Sequence, residues 1–550
     1  MKKNLHYHFL SATIILLAAC NQSNNTFDEQ DGLASFNKDS LTNHIIMLAS
    51  DSFQGRRPFT IGETRTVDYL KNSFTQLGLE PGNGNSYLQD VPLVEITPGN
   101  ISPISVQSAK GNFQLERMKD FVTWTKRTDS IVSLDNDEVV FAGFGVVAPE
   151  YNWNDYAGLD VKGKVVMVMV NDPGFSSGDS TMFKGKAMTY YGRWTYKYEE
   201  AARQGAKACL IVHNTAAASY PFTVVQNSNG GVKLHLDTRQ KPEYQLAMQG
   251  WVTEDAAKKL LQAAGKDSSL LAAANQRGFK GMPLGIKLSG TLQSKAVFNL
   301  SHNVIGKITG SKRPNEYIIY TAHWDHFGIG KPDEKGDSIY NGALDNGSGT
   351  ASLLEIARAF KSMKTKPERT IIFLAVTAEE QGLLGSAYYA THPVYPAEKT
   401  VADINIDGIN NMGKTKDISI SGGKGQSELE DYLEKEIKAK GRYIAAELHP
   451  EAGHYFRSDH FNFAKVGVPS LTTAGGIDNI EKGKEYGKKF EDEYTEKYYH
   501  KPADQYDPKR WNLDGGIEDI KLLFQVGKRL AFETSWPKWK DGSEFKALRK

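Results

Sequence analysis

The chain has 550 residues, with 66 Lys or Arg against 65 Asp or Glu and a net charge of +1. That balance excludes the bulk basic excess of a nucleic-acid binder, and 40% hydrophobic with 11% aromatic residues excludes a disordered scaffold. Cys20 and Cys209 are too few for a disulfide-rich scaffold or a four-cysteine zinc site, so a metal here would need His and carboxylate ligands.

The first residues read as a targeting segment. Lys2 and Lys3 supply a positive start, residues 9–19 are apolar but too short to span a bilayer, and Leu17-Ala18-Ala19 runs into Cys20. This layout resembles a bacterial lipobox, which implies that Cys20 is acylated and anchors the exported protein in the cell envelope. Residues 21–38 are expected to form a flexible tether. Cys209 lies in the buried-strand pattern Cys209-Leu210-Ile211-Val212 and is expected to be an inert core thiol.

Residues 40–48 form a helical pattern with Leu41, Ile45 and Leu48 on one face. Thr60 and Glu63 make a capping box opening a second helix, which Gly78 closes. The character changes from about 132 to 288: strand-like runs at 139–145 and 164–170 flank a turn-rich segment, and a short helix at 199–204 precedes the Cys209 strand. From Asn303 the pattern is regular, with buried strands at 317–322, 370–377 and 401–406 alternating with helices at 348–360 and 380–390. Alternation of this kind predicts an α/β fold: a three-layer α/β/α sandwich on a mixed, mainly parallel central sheet.

The polar residues gather at strand ends. His323 and Asp325 follow the first strand, Glu379 and Glu380 the second, and Asp407 the third, while Asp345 in Asp345-Asn346-Gly347-Ser348-Gly349 precedes a helix. Ligands of open α/β sheets bind at the carboxyl ends of the strands. Bare carboxylates gathered there would repel one another, and a divalent cation is the simplest compensation. Each position alone has an ordinary structural explanation; their conjunction does not.

The set His323-x-Asp325, Asp345-Asn346-Gly347-Ser348-Gly349, Glu379-Glu380-Gln381-Gly382 and Asp407, with Tyr499-His500-Lys501-Pro502-Ala503-Asp504, resembles the M28 family of co-catalytic zinc aminopeptidases. Ser458-Asp459-His460 with Val466-Gly467-Val468-Pro469 resembles another of its active-site loops. The resemblance implies two zinc ions per chain bridged by Asp345. His323 and Asp407 complete the ligands of one ion, and Glu380 and His500 those of the other. Glu379 is then the general base, and Asp325 accepts the second imidazole proton of His323 and fixes its tautomer; Asp504 is expected to act similarly near His500. His449, His454 and His460 are rivals to His500, and His326 is expected in the pocket wall. Relatives with this motif hold the bond after the bridging aspartate in the cis form, which implies a cis Asp345–Asn346 peptide.

On this basis residues 39–130 begin the peptidase and 296–545 form its catalytic domain. Residues 131–295 between them, mostly β, resemble a protease-associated (PA) domain. The chain enters and leaves that insertion beside the peptidase sheet, so it is expected to border the zinc cleft. The implied partners are peptide substrates, with the membrane reached through the lipid anchor and no nucleic acid.

Other chemistries fit less well. Gly174-Phe175-Ser176-Ser177-Gly178 matches G-x-S-x-G, but Pro173 precedes it and no apolar helical face follows, so it is expected to be a loop. A carboxypeptidase needs a positive clamp, for which Arg457 is the candidate in the sequence. An M28-type carboxypeptidase, a glutaminyl cyclase-like single-zinc enzyme and a non-catalytic surface-binding lipoprotein all remain open at this level.

Overall fold

The computed structural model describes residues 28–177, 179, 181–239 and 244–549. The targeting segment, Cys20 and the first part of the tether lie outside these residues. Among the described residues no helix is long and apolar enough to cross a membrane.

Eight strands of the central sheet position the site: β1 (Leu88–Ile101), β2 (Met282–Ile308), β3 (Arg313–His323), β4 (Arg369–Val376), β5 (Thr400–Asn405), β6 (Asp417–Ile420), β7 (Tyr443–Ala445) and β8 (Ser470–Ala474). Their spatial order is β1-β2-β4-β3-β5-β8-β6-β7. The middle of the sheet, β4-β3-β5-β8, is parallel, and β2 joins β4 antiparallel. The sheet is therefore mixed and mainly parallel at its core, as the alternating pattern predicts.

Alternation along the middle strands makes the layers. Ile318, Tyr320, Ile371, Phe373 and Ala375 pack on one side with α1 (Lys38–Leu48), α2 (Ile61–Gln76), α3 (Gly349–Ser362) and the long C-terminal helix at Asp514–Phe532. Tyr317, Ile319, Ile372, Leu374 and Val376 point the other way, against Tyr389 and Phe463. A strand buried on both faces reads as a near-continuous apolar run, and β4 is buried throughout and apolar from Ile371 to Val376. The early helices start as the sequence suggests: Asn37 caps α1 by accepting from the Ser40 amide, and Thr60 caps α2 by accepting from Gly62. Glu63 accepts from the Phe59 amide, one residue before the cap, so the capping box is shifted.

β1 and β2 pair antiparallel over most of their length and carry the chain out of the peptidase-like sheet into a second unit. There β2 pairs with strands at Ile104–Gln107 and Ile131–Phe141. Three parallel strands, Val165–Met169, Ala208–His213 and Met248–Thr253, continue the second unit, with helices at Trp194–Arg203 and Glu254–Ala263 beside them. Its core includes Ile104, Val106, Leu115 and Phe121. These lie before residue 131, so the second core begins earlier in the chain than the change in sequence character at 131–295 indicates. The shared strands β1 and β2 leave no loop to mark the border. Cys209 is fully buried, and burial raises its thiol far above the usual range.

Two local expectations change. The helix expected at 380–390 begins only at Leu384, because Ala378 (φ 53°), Gly382 (φ 117°) and Leu383 (φ 60°) turn the chain first. The G-x-S-x-G segment is a short helical turn, Pro173–Ser177, rather than a loop. Ser176 is exposed there and hydrogen-bonds no histidine among the described residues, so the segment lacks a nucleophile–base pair.

Candidate active site

Three parallel strands deliver side chains to one edge. His323 is the last residue of β3, Asp407 lies just past β5, and Glu379 and Glu380 sit on the turn after β4. Asp345 reaches the same edge from the segment before α3, and the Asp345–Asn346 peptide is cis. Asn346 ties this segment to the end of β5. Its Oδ1 accepts from the Gly349 and Gly408 amides, each at 2.9 Å, and its Nδ2 donates to the Ile406 carbonyl at 2.9 Å.

Asp345 stands between two imidazoles. Its Oδ1 lies 3.2 Å from His323 Nε2, and its Oδ2 lies 3.1 Å from His500 Nε2. On the first side, Asp407 Oδ1 is 3.2 Å from His323 Nε2 and Glu379 Oε2 is 4.0 Å away. On the second, Glu380 Oε2 is 3.4 Å from His500 Nε2. All six ligand and base candidates read from the sequence therefore meet. His326 joins them instead of merely walling the pocket: its Nδ1 lies 2.5 Å from Glu380 Oε1, and its buried Nε2 has no partner. His326, Asp345 and Glu380 thus form an alternative trio on the second side. His449 and His454 are exposed beside Glu451 and Glu447, and His460 is buried against the Tyr455 ring, so none of the three rivals displaces His500.

Asp325 and Asp504 work differently from the sequence-based expectation. His323 Nδ1 donates to the backbone carbonyl of Asp325 at 3.2 Å, whereas the Asp325 carboxylate is 3.8 Å away. That carboxylate accepts instead from the amides of Glu379 (2.9 Å) and Glu380 (3.4 Å), and so holds the turn that presents both. Asp325 lies two residues past the end of β3, within reach of the turn that follows β4. Burial raises its carboxyl to about 7. Asp504 likewise does not touch His500 but accepts from the amides of Leu344 and Asp345.

Arg56 escaped the sequence reading. Its buried guanidinium donates to four carbonyls: Leu48, Trp324, Asn341 and Gly342. Two of them adjoin His323 and Asp345 closely in the chain, so one side chain pins both approaches to the site. Nothing local marks it; only burial of an arginine in a 3-10 turn after α1 gives it this reach.

The charges fit bound cations. Burial pushes Glu379 well above the usual carboxylate range, and the neighbouring Glu380, Asp407 and Asp459 add to this against the opposing His323. Burial opposes a charged His323 as well, but Glu379, Asp407 and Asp345 outweigh it and raise the imidazole. Among the described residues no Lys or Arg pairs with Asp345, Glu379, Glu380 or Asp407. Four carboxylates and two or three imidazoles, buried or half-buried together without a fixed cation, form the donor set that suits divalent zinc.

The family model of peptidase family M28 matches residues 303–524, which hold every one of these ligand candidates. The chain carries an M28 peptidase domain. Over 374 residues it is 27% identical to Aminopeptidase YwaD of Bacillus subtilis (strain 168), covering 66% of this chain and 62% of that protein. It is 25% identical over 248 residues to Carboxypeptidase Q of Xenopus laevis, covering 45% of this chain and 42% of that protein. The chain spans less than two thirds of the length of these curated relatives. The fold of an aminopeptidase from Aneurinibacillus sp. strain AM-1 superimposes with a TM-score of 0.50 at 19% identity, over 92% of this chain and 96% of that one. The M28 domain and the α/β fold thus agree with the sequence reading.

Proposed function

We propose that the chain is a zinc-dependent exopeptidase that removes N-terminal residues from peptides, using two zinc ions bridged by Asp345. The observation that carries this reading is the division of Asp345: one carboxylate oxygen faces His323 and the other faces His500, at 3.2 and 3.1 Å. In this reading His323 and Asp407 would hold one ion, and Glu380 and His500 the other, with His326 orienting Glu380 through the 2.5 Å contact. Ions so held would acidify a water and polarise the scissile carbonyl.

The chain's own residues do the rest. Glu379 takes a proton from the attacking water and returns it to the leaving amine, and Asp325 keeps that carboxylate in place through the amides of Glu379 and Glu380. The Asp325 carbonyl fixes the His323 tautomer so that Nε2 is free to face the ions. The metal-ligand carboxylates can also receive the free amine of a substrate, which suits aminopeptidase action. The second unit borders the cleft: Leu234 packs against Ala378 and Leu384, the residues flanking the Glu379–Glu380 turn. We read it as a PA-like unit that narrows access in favour of short peptides.

Two experiments test the reading. The zinc-loaded protein should cleave amino-acid arylamides and lose that activity to a chelator, and Glu379→Gln should keep its zinc while kcat falls by about 10²–10⁴. Near-normal turnover in that variant would remove Glu379 from its role. We also read Cys20 as the lipidation site of an exported cell-envelope protein. Cys20→Ala should then shift the protein from the membrane to the soluble fraction, and a wild-type protein found unacylated would contradict this.

A further inference from the structure

The second unit carries a polar cleft that shares no residue with the site around Asp345. Its strand Lys233–Leu236 pairs antiparallel with β1, Lys233 opposite Ile96 and His235 opposite Val94. Side chains alternate along a strand, so Lys233 and His235 share one face and Leu234 takes the other, against Ala378 and Leu384. On the polar face Lys233, His235 and Thr125 line one small cleft with Trp124, Ile96 and Leu292. The cleft has room for a single group of about the size of a water molecule.

The polar groups of this cleft are not used by the protein itself. His235 is only 8% exposed, and its buried Nε2 has no hydrogen-bond partner. Thr125 is buried as well; its Oγ1 accepts from the Arg127 amide at 3.0 Å and donates to nothing among the described residues. Lys233 is half-buried and makes no ion pair among the described residues. Burial, and then the charge of Lys126, lower its amine to about 8, which leaves it mainly a cation at neutral pH. Burial and the same Lys126 charge hold the His235 ring well below its usual range, so the ring is neutral and keeps one proton to donate.

A buried donor without an acceptor is costly, and a partly desolvated ammonium without a counter-ion is costlier still. A water molecule would satisfy the donors but not the charge. We propose that this cleft binds one small monovalent anion of chloride size, held by the Lys233 ammonium, with His235 Nε2–H and the Thr125 hydroxyl donating to it. The apolar walls of Trp124, Ile96 and Leu292 suit a halide or the head of a formate, and the cleft is too small for sulfate or phosphate. An anion held there ties down the strand whose other face leans on the residues flanking the Glu379–Glu380 turn.

The test follows thermal unfolding of the zinc-loaded full chain in sodium gluconate, with chloride, formate or sulfate substituted at constant ionic strength. Chloride at about 0.1 M should raise the midpoint by about 2–4 °C, and sulfate should not. A rise with chloride alone identifies a halide site, and an equal rise with formate identifies a site for small anions in general; either supports the proposal. Lys233→Met and His235→Phe should each remove the chloride increment, whereas Lys258→Met, on an exposed helix face of the same unit, should keep it. Chloride bound to zinc would survive in both cleft variants, so an increment retained in both would overturn the site. No increment in the wild type would overturn it too and leave a water in the cleft, and an equal rise with sulfate would reduce it to a general salt effect. If the variants do not fold, anomalous scattering from a bromide-soaked wild-type crystal decides: a peak between Lys233 and His235 supports the site, and its absence overturns it. Neither readout is catalytic, so failure of the exopeptidase reading would leave this test standing.

Discussion

The two sides of Asp345 are built by different means. On one side His323 closes β3 and Asp407 follows β5, and these are adjacent parallel strands in the buried middle of the sheet. The His323 side chain is only 1% exposed. On the other side Glu380 sits on a turn, and His500 lies on a loop with φ 56° and a side chain 35% exposed. Tyr499 stacks on the His500 ring at 3.7 Å, and Phe327 meets it edge-on at 4.7 Å. The first side is thus preorganised by the sheet, at the strand ends where open α/β folds bind ligands. The second depends on side-chain clamps, and a group held by loops is easier to displace.

That contrast can be broken in graded steps. Arg56→Met should have the largest effect because it serves both sides at once. It would leave four buried carbonyls short of a donor, at about 1–3 kcal/mol for each one left unsatisfied. Denaturant unfolding should show a marked loss of stability, and a small change in midpoint would mean that water or a rearranged loop replaces the guanidinium. Asp504→Ala comes next. It frees the Leu344 and Asp345 amides without touching His323, so zinc affinity at the bridged site should fall by about 10–100-fold while the fold survives. Tyr499→Ala should have the smallest effect, confined to the His500 side, and competition with a metal-binding dye would detect both changes. An Asp504→Ala protein with wild-type affinity would show that the backbone clamp is not needed.

The same contrast separates what the sequence discloses from what it hides. The strand-borne side was readable because β3, β4 and β5 are long β-branched and aromatic runs, and a polar residue ending such a run stands out. Asp345 was readable because a Gly- and Ser-rich helix start follows it. The sequence pattern predicts a helix from 380, across the turn after β4, because the left-handed conformations of Ala378 and Leu383 leave no sign in residue type. The carboxylates of Asp325 and Asp504 were expected on histidines and instead hold backbone amides. Spacing reveals proximity along the chain, whereas the choice between an imidazole and an amide as donor is settled by side-chain direction. Arg56 gives no sign of its role in the sequence, because an arginine on a surface-like turn acquires one only when distant segments close over it. The border of the second unit was blurred for a related reason: β1 and β2 are single strands that serve two cores.

In the proposed reading Asp345 joins two metal positions, one resting on the sheet and one on loops. Zinc content per chain, measured by mass spectrometry after dialysis for the wild type, His500→Ala and His323→Ala, tests it most directly. Two zinc ions per wild-type chain are expected, and one in His500→Ala with the strand-borne position still filled. His323→Ala should lose the strand-borne ion and weaken the other, since Asp345 then has no partner on its Oδ1 side. A single zinc in the wild type, or two retained in His500→Ala, would contradict it.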